Sequence, residues 1–127
     1  MKVPYTNFKT RTGDDTAIGG CGFIGGEWKE IDTPMIFEGK KVVVFALPGA
    51  FTPTCSSQQL PGYEELYDEF KANGIDEVYC LSVNDAFVMN AWFNNQEITK
   101  VKPLGDGEGV FTQGMGMLVN KPKQGFG

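Results

Sequence analysis

The chain has 127 residues, 41% apolar and 21% charged, ordinary values for a globular protein and unlike a disordered or fibrous one, so a single domain over residues 1–127 is expected. Eleven Lys and Arg against 16 Asp and Glu leave a net charge of −5, which argues against nucleic acid or an anionic membrane surface as partner, because both require clustered positive charge. The longest strongly apolar run, Val42 to Leu47, is six residues against the roughly 20 that span a bilayer, and the first residues carry neither a signal core nor an Arg-rich presequence, so the expected address is the cytoplasm.

In chain order, Lys2 to Thr10 alternates loosely and reads as a short strand that Pro4 confines to an edge. Gly13 to Gly26 holds six glycines in fourteen residues and reads as a loop that includes Cys21. Trp28 to Ile31 is a further short strand. Asp32-Thr33-Pro34 follows, a capping side chain ahead of a proline suited to a first helical turn, and Gly39 closes that element. Lys41 to Leu47 is a continuous β-branched and aromatic run, the expected central strand of a mostly parallel sheet, covered on both faces.

The turn-rich stretch Pro48 to Cys55 leads into a helix over Ser56 to Phe70, with a break expected at Pro61. There Tyr63, Leu66, Tyr67 and Phe70 recur at helical spacing as one buried face, and Asn73-Gly74 ends the helix. Glu77 to Val83 is a second buried strand, and Asn84-Asp85 can cap a helix running to about Asn95. On that helix Phe87, Val88, Ala91 and Trp92 share a face, either core or a dimer contact. Lys100 to Leu104 reads as a short edge strand, Gly105 to Gly109 as a solvated turn, and Phe111 to Met115 as a brief helical turn. Strand, helix, strand, helix implies right-handed crossovers and an α/β sheet.

Two features prune the chemistry. The chain has no His, which removes Ser-His-Asp and Cys-His pairs and His zinc sites. Its single Arg, Arg11, makes an Arg-built phosphate clamp a poor fit. Three Cys at 21, 55 and 80 show neither a disulfide framework nor Cys-x-x-Cys spacing. No metal or other cofactor is called for by these residues.

Cys55 is the candidate nucleophile. It follows the turn after the expected central strand and opens a helix, where α/β sheets place their sites and where a helix N-terminus favours an anion. A free thiol of pKa about 8.5 is only a few per cent ionised at pH 7, whereas a pKa of about 6 makes roughly nine-tenths thiolate. The Thr52 hydroxyl, three residues earlier, can hydrogen-bond the sulfur and a substrate oxygen, while Pro48 and Pro53 stiffen the approach and Pro48 shields the thiolate. A lone cysteine is more often a small buried hydrophobe. The full pattern Pro48-x-x-x-Thr52-x-x-Cys55 between a buried strand and a helix favours the reactive reading.

Three segments carry a resemblance: Lys40 to Cys55 (KKVVVFALPGAFTPTC), Ser82 to Trp92 (SVNDAFVMNAW) and Gly114 to Val119 (GMGMLV). Through them the sequence resembles the peroxiredoxins, and within them the type II or fifth subfamily, including the peroxiredoxin part of bacterial peroxiredoxin-glutaredoxin hybrids. The resemblance implies a thioredoxin-like three-layer sandwich and a peroxidase of hydrogen peroxide and small alkyl hydroperoxides. Cys55 would attack the O–O bond and become a sulfenic acid, Thr52 would hold the peroxide, and Pro48 would shield the sulfur.

Regeneration would fall to glutathione and glutaredoxin, to thioredoxin, or to a second cysteine. Cys80, 25 residues on, matches the second cysteine of plant-like members, yet its place mid-strand between Tyr79 and Leu81 reads more as core than as a resolving thiol; Cys21 is a weaker candidate still. A homodimer is implied, with the Phe51 region and the helix around Met89 as contacts. The family continues past Gly125-Phe126-Gly127 with an Arg that stabilises thiolate and peroxide, two strands and a final helix. The chain is therefore expected to be a fragment whose Val42 to Leu47 strand has an open edge. The competing reading is a non-catalytic thioredoxin-like module that senses redox state or binds a partner.

Overall fold

The computed structural model describes residues 2–12 and 26–125. Its middle layer is a parallel sheet of β3 (Val42–Ala46), β4 (Glu77–Ser82) and β5 (Lys102–Gly105), in the order β3-β4-β5. The register runs from Val42 opposite Glu77 to Ala46 opposite Leu81, and from Tyr79 opposite Lys102 to Ser82 opposite Gly105. Side-chain alternation along β4 splits the core in two. Val78 and Cys80 join Phe45, Leu60, Met89 and Trp92 on one face, while Tyr79 and Leu81 join Phe8, Ile36, Leu104 and Phe111 on the other.

The first of these layers comes from α2 (Leu60–Glu65), α3 (Tyr67–Ala72) and α4 (Ala86–Asn95). The second comes from the antiparallel pair β1 (Asn7–Thr12) and β2 (Glu27–Asp32) together with α1 (Thr33–Phe37) and α5 (Val110–Gly114). Helices on one face, a sheet between, and further elements behind it make the thioredoxin-like three-layer arrangement. Among the described residues no helix is long and apolar enough to cross a membrane.

The caps are where the sequence puts them. Asp32 accepts from the Met35 amide at 3.0 Å and Asp85 from the Val88 amide at 2.9 Å, each satisfying an otherwise orphan donor of a first helical turn. Gly39 and Gly74 take left-handed φ values of 67° and 89° as the chain leaves α1 and α3, a conformation glycine adopts without steric penalty.

Several expectations are corrected. Within the described residues β4, not β3, is the central strand, because only β4 is hydrogen-bonded on both sides, and β3 has the open edge expected of it; Val42, Val43 and Val44 are half-buried and Ala46 is exposed. The first strand starts at Asn7, not Lys2, because the Thr6 amide bonds the Thr33 hydroxyl at 2.8 Å instead of a ladder carbonyl. The helix expected over Ser56 to Phe70 is three pieces: a π-helical segment, Cys55–Gln59, then α2 and α3. Pro61 does not break it. It sits in the first turn of α2, after a wider turn in which the Leu60 amide reaches back to the Cys55 carbonyl.

The break falls at Leu66, at φ −88° and ψ 1°. That reset turns Leu66 out to 47% exposure while Tyr63, Tyr67 and Phe70 remain packed on the core. On α4 the buried residues are Ala86, Met89, Trp92 and Phe93; Ala91 is exposed, and Phe87 and Val88 are half-buried. Met89, 1% exposed, is part of the core. The Gly105 to Gly109 turn is not wholly solvated, because Asp106 is buried and accepts from the Phe111 and Thr112 amides and the Thr112 hydroxyl. All of Gly13 to Gly25, Cys21 included, lies outside the described residues.

Candidate active site

The chain leaves β3 at Ala46, turns through Pro48 to Thr52 and enters a helical run in which the Ser56 amide donates to the Thr52 carbonyl at 3.0 Å. Cys55 therefore lies in the first turn of that run, at the carboxyl end of a parallel strand. Its side chain is 3% exposed and belongs to the core cluster beneath the helices. Thr52 is half-buried and Pro48 exposed at the rim. All three predicted residues are thus on one short loop.

The loop is held in an uncommon shape. Phe51 has a φ of 62°, a left-handed conformation that a bulky residue adopts only under constraint, and its ring is 54% exposed. The Thr52 hydroxyl closes the turn by donating to the Gly49 carbonyl at 2.7 Å. With that proton on Gly49, both lone pairs of the hydroxyl are left to accept.

Two contacts from distant elements brace the loop. Ala50 N–H donates to Asn84 Oδ1 at 3.0 Å, and Trp92 Nε1 donates to Ser56 Oγ at 2.9 Å. Apart from lying in the Ser82 to Trp92 segment that carries the resemblance, Asn84 is marked by the sequence as part of a helix cap and Trp92 as an apolar-face residue, and no local spacing links either to Cys55. An apolar groove of about 440 Å³ opens beside Pro48, lined by Leu47, Leu81, Val83, Leu118 and Val119, and does not include Cys55.

Cys80 is in a different setting. It is fully buried at the middle of β4, opposite Phe45. Burial pushes its thiol well up, and the nearby Cys55 adds to the rise. A thiol so held is protonated and a poor nucleophile. Among the described residues no group of His, Cys, Asp and Glu is placed to hold a metal ion.

A cysteine in a braced loop at the carboxyl end of a thioredoxin-like sheet defines a class of cysteine redox proteins. Comparison with known proteins narrows the class. The Redoxin family matches residues 23–126. A peroxiredoxin of Rhizobium etli is 53% identical over 126 residues, 99% of this chain and 69% of the relative. The hybrid peroxiredoxin hyPrx5 of Haemophilus influenzae is 48% identical over 126 residues, 99% of this chain but 47% of the relative. The crystal structure of reduced Prx3 of Vibrio vulnificus in complex with hydrogen peroxide superposes with a TM-score of 0.76 at 40% identity, covering 91% of this chain and 66% of that one.

The chain belongs to the peroxiredoxins, a family of thiol-dependent peroxidases within the redoxins. It spans about two thirds of the length of several curated relatives, 65% in two further cases.

Proposed function

We propose that this protein reduces hydrogen peroxide and small alkyl hydroperoxides, with Cys55 as the nucleophile. The observation that carries the reading is the placement of Cys55 in the first turn of a helix, on the same constrained loop as the Thr52 hydroxyl. The Cys55 thiolate attacks the terminal peroxide oxygen. An S–O bond forms, the O–O bond breaks, and the departing alkoxide or hydroxide takes up a proton. Sulfur is oxidised to the sulfenic acid as the peroxide is reduced by two electrons.

In this scheme Thr52 acts first as an acceptor. Its proton is committed to Gly49, so its lone pairs receive the O–H of the incoming peroxide and orient the oxygen that sulfur attacks. Pro48, at the rim, limits access of water to the sulfur. Reduction of the sulfenic acid is assigned to an external thiol: one thiol condenses to a mixed disulfide with loss of water, and a second releases Cys55. Glutathione with glutaredoxin is the reductant that the sequence resemblance implies, and an external thiol is favoured over Cys80 because Cys80 is buried and its thiol is pushed well up. That route places the reaction in a compartment rich in reduced thiols, the cytoplasm.

The test is the second-order rate of the wild-type chain with hydrogen peroxide at pH 7, with folding verified by circular dichroism and Cys55→Ser as control. A rate far above that of free cysteine, lost in the Ser variant, supports the reading. A folded chain that reacts like free cysteine favours the non-catalytic module.

A further inference from the structure

The turn between β4 and α4 lies 34 residues from the Cys55 loop in sequence, yet it supplies the bond that fixes the loop. Ala50 N–H donates to Asn84 Oδ1 at 3.0 Å, and the same oxygen accepts from Ser82 Oγ at 2.6 Å. Asn84 is itself anchored on every side. Ser82 is 1% exposed at the end of β4. The Asn84 carbonyl packs on Gly105 so closely that a Cβ there would come within 2.7 Å of it, and Asp85 caps α4. A post held by β4, β5 and α4 therefore reaches across to the middle of a loop whose next residue, Phe51, is in the left-handed region at φ 62°.

We propose that Asn84 is a positioning residue for peroxide reduction: by holding Ala50 it fixes the Gly49–Thr52 turn so that Thr52 Oγ1 and the Cys55 sulfur address the same peroxide. The inference rests on the roles assigned above to Cys55 and Thr52. Asn84 Oδ1 is engaged by Ala50 and Ser82, and Cys55 is carried by the helical run that starts after the turn. Loss of the Asn84 bond therefore disturbs where the peroxide is held far more than it disturbs the ionisation of the thiol. In-line attack needs reacting atoms about 3–3.5 Å apart, and a misplacement of about 1 Å can lower a rate a hundredfold.

The experiment compares two reagents on wild type, Asn84→Ala and Asn84→Asp. Hydrogen peroxide reads positioning, and iodoacetamide across pH reads thiolate formation without needing Thr52. For Asn84→Ala the expected result is a peroxide rate lower by about 10- to 100-fold, an alkylation rate within about threefold, and an unmoved alkylation midpoint. Asn84→Asp keeps an acceptor for Ala50 and recovers at least half of the peroxide rate when both proteins are compared at equal ionisation.

An unchanged peroxide rate in Asn84→Ala overturns the inference, as does an equal loss with both reagents. If Asn84→Ala does not fold, Asn84→Ser, whose hydroxyl is too short to reach Ala50, is read in the same way. Unfolding of both beside a normal Asp variant assigns Asn84 to stability alone and also overturns it. A wild-type chain no faster than free cysteine is a separate result, the failure of the peroxidase reading itself.

Discussion

Cys55 and Cys80 are 3% and 0% exposed and lie in the same core cluster, yet the elements that carry them differ. Cys80 is in the middle of the central strand, its backbone used by neighbours on both sides and its side chain among Phe45, Trp92 and Leu60. Cys55 is in the first helical turn after a loop that opens to solvent at Pro48 and Phe51. Burial by itself therefore does not separate the two thiols. What differs is whether the residue's own backbone lies beside a rim, or within a strand paired on both sides that cannot open without unfolding the sheet.

The comparison breaks most sharply at Cys55. Cys55→Ser is expected to reduce peroxide consumption to background, while Cys80→Ala leaves the initial rate with hydrogen peroxide within about twofold, because a buried protonated thiol takes no part in the first step. A Cys80→Ala variant that traps the sulfenic acid and stops turnover with thioredoxin would instead give Cys80 the resolving role. Alkylation under native conditions sharpens the same contrast. Iodoacetamide followed by mass spectrometry should label Cys55 at least about a hundred times faster than Cys80, whose access requires opening of the strand.

Smaller effects probe the braces. Trp92→Phe keeps an apolar ring but deletes the bond to Ser56 Oγ. One net hydrogen bond is about 1 kcal/mol, read as a thermal midpoint lower by a few degrees. Cys80→Ala removes one sulfur from a packed site and should destabilise by about 1 kcal/mol, the same order as the Trp92 change but with no effect on the Cys55 loop.

The smallest effect concerns the start of β4. Glu77 accepts from the Tyr67 hydroxyl at 2.9 Å and pairs with Lys102 at 2.8 Å. Burial raises the Glu77 pKa, but the hydrogen bonds from Lys102, the Val78 amide and Tyr67 outweigh it and hold the carboxyl below its usual range. Burial, then the bond to Glu77, pushes Tyr67 up to about 12. With Glu77 depressed, its contribution is present above the unfolded carboxylate pKa near 4.3 and lost as pH falls through the lower folded value. Denaturation midpoints measured from pH 6 to 3 should therefore fall less steeply in Glu77→Gln than in wild type.

Much of this molecule was legible from local chemistry. Strand runs such as Glu77 to Val83, the caps at Asp32 and Asp85 and the stop at Gly74 depend on neighbours within a few residues, and the structure keeps them with shifts of one or two positions. Cys55, Thr52 and Pro48 were legible as a group because eight consecutive residues carry them. Other features were not. The outward turn of Leu66 follows from a helix reset that periodicity does not register, and the burial of Asp106 follows from α5 folding back over it.

The sequence by itself determined the class of fold, the candidate cysteine and the loop that leads into it, since each is written in contiguous residues whose backbone preferences and side-chain chemistry act over short range. Only the tertiary structure decided that Cys80 sits on a strand paired on both sides while Cys55, equally buried, sits beside a rim at Pro48 and Phe51, and that Asn84 and Trp92 reach the Cys55 loop from 34 and 36 residues away. Those outcomes depend on which surfaces meet when β4 and α4 pack beside β3, and a contact between distant segments leaves no mark on either segment alone.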